Sequence, residues 1–200
     1  IVSSEQDTTQ DIELSGLGTE GNPYLIQSPA DLKLLSDEVK AGKTFANTYF
    51  AITSNLDLSS YSQWQPIGNS FQYELTDTAS PYGGVCFADS QNTFLGIVDG
   101  RDYTISHLWT DGNKGNVNWY SYGLFGMVGP GTVIKNIKLS DVYVSAGEYN
   151  PTGGLIGYIY GSEGYGSGEI VIENCHVEGC ILGHGGLIGR IQAKVAPITI

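Results

Sequence analysis

Short runs in which apolar and polar side chains alternate recur along the chain: Ile52-Thr53-Ser54-Asn55-Leu56, Thr104-Ile105-Ser106-His107-Leu108, Val133-Ile134-Lys135-Asn136-Ile137 and Val171-Ile172-Glu173-Asn174-Cys175. They are rich in β-branched residues, and a period of two is the pattern of a half-buried strand. The last three start 29 and 38 residues apart, the longer interval holding a Gly/Ser/Tyr-rich insertion over 160–168. A second phrase accompanies them as Phe94-Leu95-Gly96, Gly123-Leu124-Phe125-Gly126, Gly154-Leu155-Ile156-Gly157 and Gly186-Leu187-Ile188-Gly189, with final glycines 30, 31 and 32 residues apart. Glycine-rich corners at Asp99-Gly100, Gly129-Pro130-Gly131 and Gly153-Gly154 turn the chain between strands.

Strands that return about every 30 residues with no helix between them predict an all-β chain in which each coil hydrogen-bonds to the next, a right-handed parallel β-helix (solenoid). An antiparallel sandwich gives one phrase no reason to repeat in register. The handedness follows from the general preference of parallel crossovers. Lys135 and Glu173 occupy equivalent positions and face solvent, so Ile134 and Ile172 face inward with Ile105 beside them. The same alternation turns Asn136 and Asn174 inward near a bend, with Asn55 and His107 in neighbouring rungs. A buried amide is tolerable there as a structural ladder, donating to one rung and accepting from another.

Ser28-Pro29-Ala30-Asp31 sets out an N-cap hydroxyl, a first-turn proline and a first-turn carboxylate. Leu32, Leu35 and Val39 then share one face, and Gly42 stops the pattern. The expected product is an N-terminal capping α-helix over 29–41 that closes one end of the coil. Residues 1–17 read as a polar, flexible tether and 18–200 as a single domain. The closing Pro197-Ile198-Thr199-Ile200 looks like the start of another strand, so the domain is expected to continue beyond residue 200.

Composition narrows the partners. Nine basic and 21 acidic residues give a net charge of −12, which repels nucleic acid and anionic membrane. No apolar run reaches the roughly 20 residues of a spanning helix, and no basic-then-apolar leader opens the chain, so no direct membrane insertion is expected. Either the protein is cytosolic or a leader has been removed. Cys86, Cys175 and Cys180 are an odd set; Cys175 and Cys180 could bridge, but without a second ligand pair they are no metal signature.

The Gly-Leu-Phe/Ile-Gly phrases, with Gly21-Asn22-Pro23-Tyr24-Leu25-Ile26, Asn55-Leu56-Asp57-Leu58, Trp64-Gln65-Pro66-Ile67-Gly68 and Val98-Asp99-Gly100, resemble the GLUG-motif domains of bacterial surface proteins. The likeness runs from about Gly18 to Ile200 and departs at Thr93, which stands where the phrase has its leading glycine, and in the excursion over 69–92. Such domains occur in secreted adhesin-like proteins and beside the protease domain of some IgA-cleaving metallopeptidases. The resemblance implies secretion, a place on the bacterial cell surface and a role in adhesion, with no catalytic motif to carry over.

Catalysis finds little support in the residues. His107, His176 and His184 lack the helical spacing with an intervening glutamate that a zinc peptidase needs. A polysaccharide lyase or hydrolase on such a scaffold needs a column of carboxylates, whereas the outward columns read Ser106, Lys135, Glu173 and Ile97, Met127, Tyr158, Arg190. The cluster Asp99-Gly100-Arg101-Asp102 with Asp111 nearby is read as turn chemistry, with weak calcium binding as its alternative. Nucleophile elbow, P-loop and dinucleotide fingerprint are absent from the sequence. No cofactor, no metal and no catalytic residue are therefore assigned.

Binding is the stronger expectation. Insertions over 69–92, 109–121, 145–152 and 160–168 carry many aromatics, and loops on a rigid scaffold are where recognition usually resides. Trp109, Trp119, Tyr120, Tyr122, Tyr160 and Tyr165 are the candidate ligand-binding residues, their flat rings suited to stacking on sugars or gripping protein, with coverage of the coil's flank as the other use. The partner class is a host or matrix glycan or protein. A carbohydrate-active enzyme and a passive structural spacer are the alternatives.

Overall fold

The computed structural model describes residues 12–68, 71–74, 85–88, 92–114, 121–148, 150–161, 167–193 and 196–200. In chain order the elements are β1 (Tyr24–Ile26), α1 (Pro29–Lys40), β2 (Tyr49–Ile52), β3 (Leu56–Asp57), β4 (Phe71–Glu74), β5 (Val85–Ala88), β6 (Ile97–Asp99), β7 (Thr104–Ser106), β8 (Trp109–Asp111), β9 (Phe125–Val128), β10 (Val133–Lys135), β11 (Lys138–Ser145), β12 (Ile156–Gly161), β13 (Ile170–Glu173), β14 (His176–Leu182), β15 (Ile188–Ala193) and β16 (Ile198–Thr199). Parallel pairing joins β1-β2-β6-β10-β13-β16 in a first sheet, β3-β7-β11-β14 with β8 in a second, and β9-β12-β15 in a third. The chain visits these sheets in the same order on successive turns, so the fold is mostly β with a β-helix-like course.

The register explains why the turns stack. Tyr24, Phe50, Val98, Ile134 and Ile172 are cross-strand partners along the first sheet, and all are buried. Their neighbours Asp99, Lys135 and Glu173 form a second, outward column. Like side chains thus meet like along the stack, which lets each turn bury the apolar face of the last. Ile105 does not join Ile134, as alternation suggested. It pairs with Leu56 and Leu139 in the second sheet, and Ser106 pairs with Asp57 and Ser140. Ile97 likewise stacks with Tyr49 and Val133, and not with Met127, Tyr158 and Arg190 of the third sheet.

The third sheet carries the Gly-Leu-x-Gly phrases. Phe125, Ile156 and Ile188 are partners, and the preceding leucines follow: Phe125 N–H donates to the Leu155 carbonyl at 2.8 Å and Leu155 N–H to the Leu187 carbonyl at 3.1 Å. Leu124 and Leu155 are fully buried, while Leu187 is half-buried in the last turn. The first copy is not Phe94-Leu95-Gly96. Ile67 bridges Phe125, Phe94 bridges Val128, and the Gly126 and Met127 N–H groups donate to the Ile67 and Gly68 carbonyls. The phrase therefore begins at Ile67-Gly68 and resumes at Thr93-Phe94, split by the excursion that holds the antiparallel hairpin of β4 and β5. The final glycines exist because another backbone lies against them: a Cβ on Gly157 would stand 2.6 Å from Tyr122 N, and one on Gly189 2.5 Å from Thr152 N.

Helix α1 starts as its sequence dictates. Ser28 accepts from Asp31 N–H while the Asp31 carboxylate accepts from Ser28 N–H, a reciprocal capping box. Leu32, Leu35 and Val39 are buried with Ile26 and Ile52 in the common core, and the Ser36 hydroxyl donates to the Gln65 carbonyl at 2.8 Å. Residues 12–17 are not a tether. Ile12 is buried in the same core, and Ser15 accepts from Leu25 N–H at 2.7 Å. Two apolar side chains, Ile12 and Leu14, are enough to hold an otherwise polar stretch down; residues 1–11 lie outside the described set.

Candidate functional site

The second sheet is where aromatic and polar side chains converge. β7 and β8 behave as one strand interrupted at His107, whose φ of 57° is matched by 52° at Asp141 in the partner strand β11. One left-handed residue changes which parity faces inward. Hence Ile105 and Leu139 point to the core before the interruption, and Thr110 and Val144 do so after it. Trp109 and its partner Tyr143 are left on the outside, half-buried.

Their rings stack with centroids 5.8 Å apart and planes within 10°. Stacking covers one face of each ring with the other and leaves their remaining apolar surface partly open. Lys114 places Nζ 5.4 Å from the Trp109 centroid, a cation over the ring face. The same ammonium lies 3.7 Å from Asp111 Oδ2, while Asn113 N–H donates to Asp111 Oδ1 at 3.0 Å and Asn113 Nδ2 donates to the Ser145 hydroxyl at 3.2 Å. Gln63 closes the rim by donating to the Asp111 carbonyl. The result is an aromatic platform edged by an ammonium, an amide, a hydroxyl and a carboxylate, all on strands or on a turn tied to them.

The other candidates are placed differently. Trp109 belongs to a strand and not to a loop. Tyr122 is buried, bridges Thr152 and lies against Gly112, so its ring fills the flank and is closed to a ligand. Tyr160 stands on the third sheet, 5.6 Å from the Tyr158 ring. Tyr158 itself is buried, beneath the Arg190 guanidinium at 5.5 Å, and donates to Gln192 Oε1 at 2.7 Å. Trp119, Tyr120 and Tyr165 lie outside the described residues. Tyr143, absent from the sequence reading, was findable only through its register with Trp109.

Asn136 and Asn174 come together, but at a corner and not inside. Each has a left-handed backbone, φ 56° and 48°, a conformation asparagine tolerates better than most residues. Asn174 Nδ2 donates to Asn136 Oδ1 at 2.8 Å and Asn136 Nδ2 to Asp99 Oδ1 at 2.9 Å. Asn55 and His107 belong to another corner, both exposed: Asn55 Oδ1 accepts from Thr104 N–H, and His107 Nδ1 meets Asp57 Oδ1 at 2.9 Å. The backbone N–H and hydroxyl of Ser59, then His107, hold the Asp57 carboxyl below its ordinary value. For Asp99, burial works to raise the pKa, but hydrogen bonds from Asn136 and Arg101 N–H and the charges of Lys135 and Arg101 prevail and lower it.

The acidic cluster of the sequence does not converge on a point. Asp99 turns to Asn136 and Lys135, Asp102 to Lys138 at 3.0 Å, and Asp111 to Asn113 and Lys114. Cys175 and Cys180 are both free thiols. Cys180 sits well along the extended strand β14, whose rise of about 3.3 Å per residue carries it beyond disulfide reach of Cys175. Burial pushes the Cys175 thiol up.

No protein-family model matches the chain. It is 29% identical over 168 residues to a protein of Evansella cellulosilytica provisionally named a Gly-rich membrane protein, covering 82% of this chain and 15% of that one. It is 28% identical over 193 residues to halomucin of Haloquadratum walsbyi, covering 94% of this chain and 2% of the relative. A crystal structure from Bacteroides ovatus, provisionally assigned as an immunoglobulin A1 protease, superposes with a TM-score of 0.60 at 19% identity, over 92% of this chain and 47% of the other. The chain thus spans a small fraction of both relatives, and the structural likeness establishes a shared fold. Among the described residues no helix is long and apolar enough to cross a membrane.

Proposed function

We propose that this chain is a non-catalytic module of an extracellular bacterial surface protein, a right-handed parallel β-helix of GLUG-type repeats that holds a ligand-binding face at fixed geometry. The stacked Trp109 and Tyr143 pair carries the reading. Both rings are pinned by strand register, both remain partly open, and hydrogen-bonding groups edge them, the combination that adhesion to a glycan or matrix protein requires. A rigid support lowers the entropy lost on binding. The names of the two relatives, a membrane protein and halomucin, support a place at the cell surface.

A glycan and matrix-protein array probed with the 200-residue chain tests this. Saturable binding that Trp109→Ala and Tyr143→Ala each abolish, in proteins that still melt cooperatively, is the expected result. The assigned face is refuted if no ligand on the array is lost from both variants. The spacer reading draws support from the small share of each relative that the chain spans; it predicts silence across the whole array.

A further inference from the structure

A second concavity lies on the outer face of the first sheet, away from the aromatic platform. It encloses about 140 Å³ and is lined by Glu20, Tyr49, Ile97, Asp99, Arg101 and Lys135, among others. Its position follows from register. Phe50 and Val98 fill the core, so their neighbours Tyr49 and Ile97, themselves partners, face outward and stay half-buried. Val133 and Val171 prolong this apolar stripe along the sheet, and Asp99, Lys135 and Glu173 run beside it.

The chemistry of the rim selects a ligand. Glu20 and Asp99 against Arg101 and Lys135 sum to zero charge, so an anion meets two carboxylates and a cation meets two basic groups. A neutral molecule that both donates and accepts hydrogen bonds meets a partner on every side. The Tyr49 hydroxyl and the Arg101 guanidinium make no hydrogen bond among the described residues. Lys135 Nζ stands 3.6 Å from Asp99 Oδ2, a gap longer than a hydrogen bond that one hydroxyl can bridge. The floor of tyrosine and isoleucine suits the C–H face of a sugar ring. We propose that this cleft binds a neutral pyranose sugar, with hydroxyls donating to Glu20 and Asp99 and accepting from Arg101 and Lys135, and that the apolar stripe favours oligosaccharides over single units. The site is independent of the Trp109 face.

The test titrates the whole chain with neutral gluco- and galacto-oligosaccharides, and with glucuronate and glucosamine as charged controls, followed by amide chemical shifts. One neutral series should saturate, perturb the Tyr49 and Ile97 amides, and change little in affinity between low and high salt. Tyr49→Ala and Arg101→Asn should each weaken it by about tenfold or more; asparagine is chosen because Arg101 has φ 49°. The proposal is overturned if no neutral sugar saturates, if a charged control binds better and salt-sensitively, if Tyr49→Ala binds as the parent does, or if the perturbed amides lie elsewhere.

Discussion

Asn174 donates its side-chain amide to Asn136 Oδ1 across 2.8 Å, and that direction orders a whole corner. Asn136 donates in turn to Asp99, so every amide points toward the earlier turn and the series ends on a group that only accepts. Both asparagines pay for a left-handed backbone with these bonds. Asn136→Ala should therefore lose two hydrogen bonds and meet the steric cost of φ 56°, about 2–4 kcal/mol in denaturant unfolding. Asn136→Gly loses the bonds but not the conformation and should recover about 1 kcal/mol of that. Equal losses for the two variants would remove backbone strain from the account.

Asp99 ties this corner to pH. Its carboxyl lies below the ordinary 3.8, so between the folded and unfolded values the unfolded chain holds more protons. The stability it contributes is complete above 3.8 and is lost as pH falls from there through the folded value. Asp99→Asn should flatten that part of the acid limb relative to the parent. An unchanged slope in acid denaturation would mean that other carboxylates set the limb.

The stacking and the helix were legible because they rest on local demands repeated turn by turn. Gly157 and Gly189 announce themselves since a second backbone touches each, and Ser28 with Asp31 spells its own cap. What sequence hides is parity and interruption. His107 takes the same left-handed backbone as Asn136 and Asn174 but ends a strand of the second sheet, so its phrase imitates theirs and alignment puts Ile105 in the wrong column; after His107 and Asp141 alternation resumes on the opposite face, which hides Tyr143 beside Trp109. The first repeat is hidden for another reason: Gly68 and Thr93 are consecutive in the ladder but separated in sequence by the excursion, and no local pattern reports that splice.

The Trp109 and Tyr143 rings should couple energetically even without a ligand. Stacked at 5.8 Å, they are expected to show an interaction of about 0.5–1.5 kcal/mol in a double-mutant cycle with Trp109→Ala and Tyr143→Ala. Additive losses in thermal unfolding would mean that each ring is held by its strand alone, and the platform would lose its claim to preorganisation.

Thr110 faces the core between strands, and its buried hydroxyl oxygen has no hydrogen-bond partner among the described residues. Leaving such a group unpaired costs about 1–3 kcal/mol. Thr110→Val keeps the β-branched shape and removes the hydroxyl, so unfolding should shift toward greater stability by about 1 kcal/mol. A valine variant that melts earlier would show that the hydroxyl is satisfied in solution.

Two glycines of the same repeated phrase should respond in opposite ways to one methyl group. At Gly157 a Cβ would stand 2.6 Å from Tyr122 N and 2.9 Å from both Ser121 Cβ and the Tyr122 carbonyl oxygen, backbone that is itself held by the Tyr122 to Pro151 hydrogen bond. Neither side can yield without breaking the ladder, so Gly157→Ala should cost at least about 3 kcal/mol or prevent folding. At Gly186 nothing lies within 4 Å of the added atom, and no left-handed φ stands in the way. Gly186→Ala should be neutral or stabilise by up to about 1 kcal/mol, because alanine narrows the unfolded ensemble. Comparable melting temperatures for the two variants would contradict the close crossing of residues 121–122 over the third sheet, and with it the reason the phrase ends in glycine.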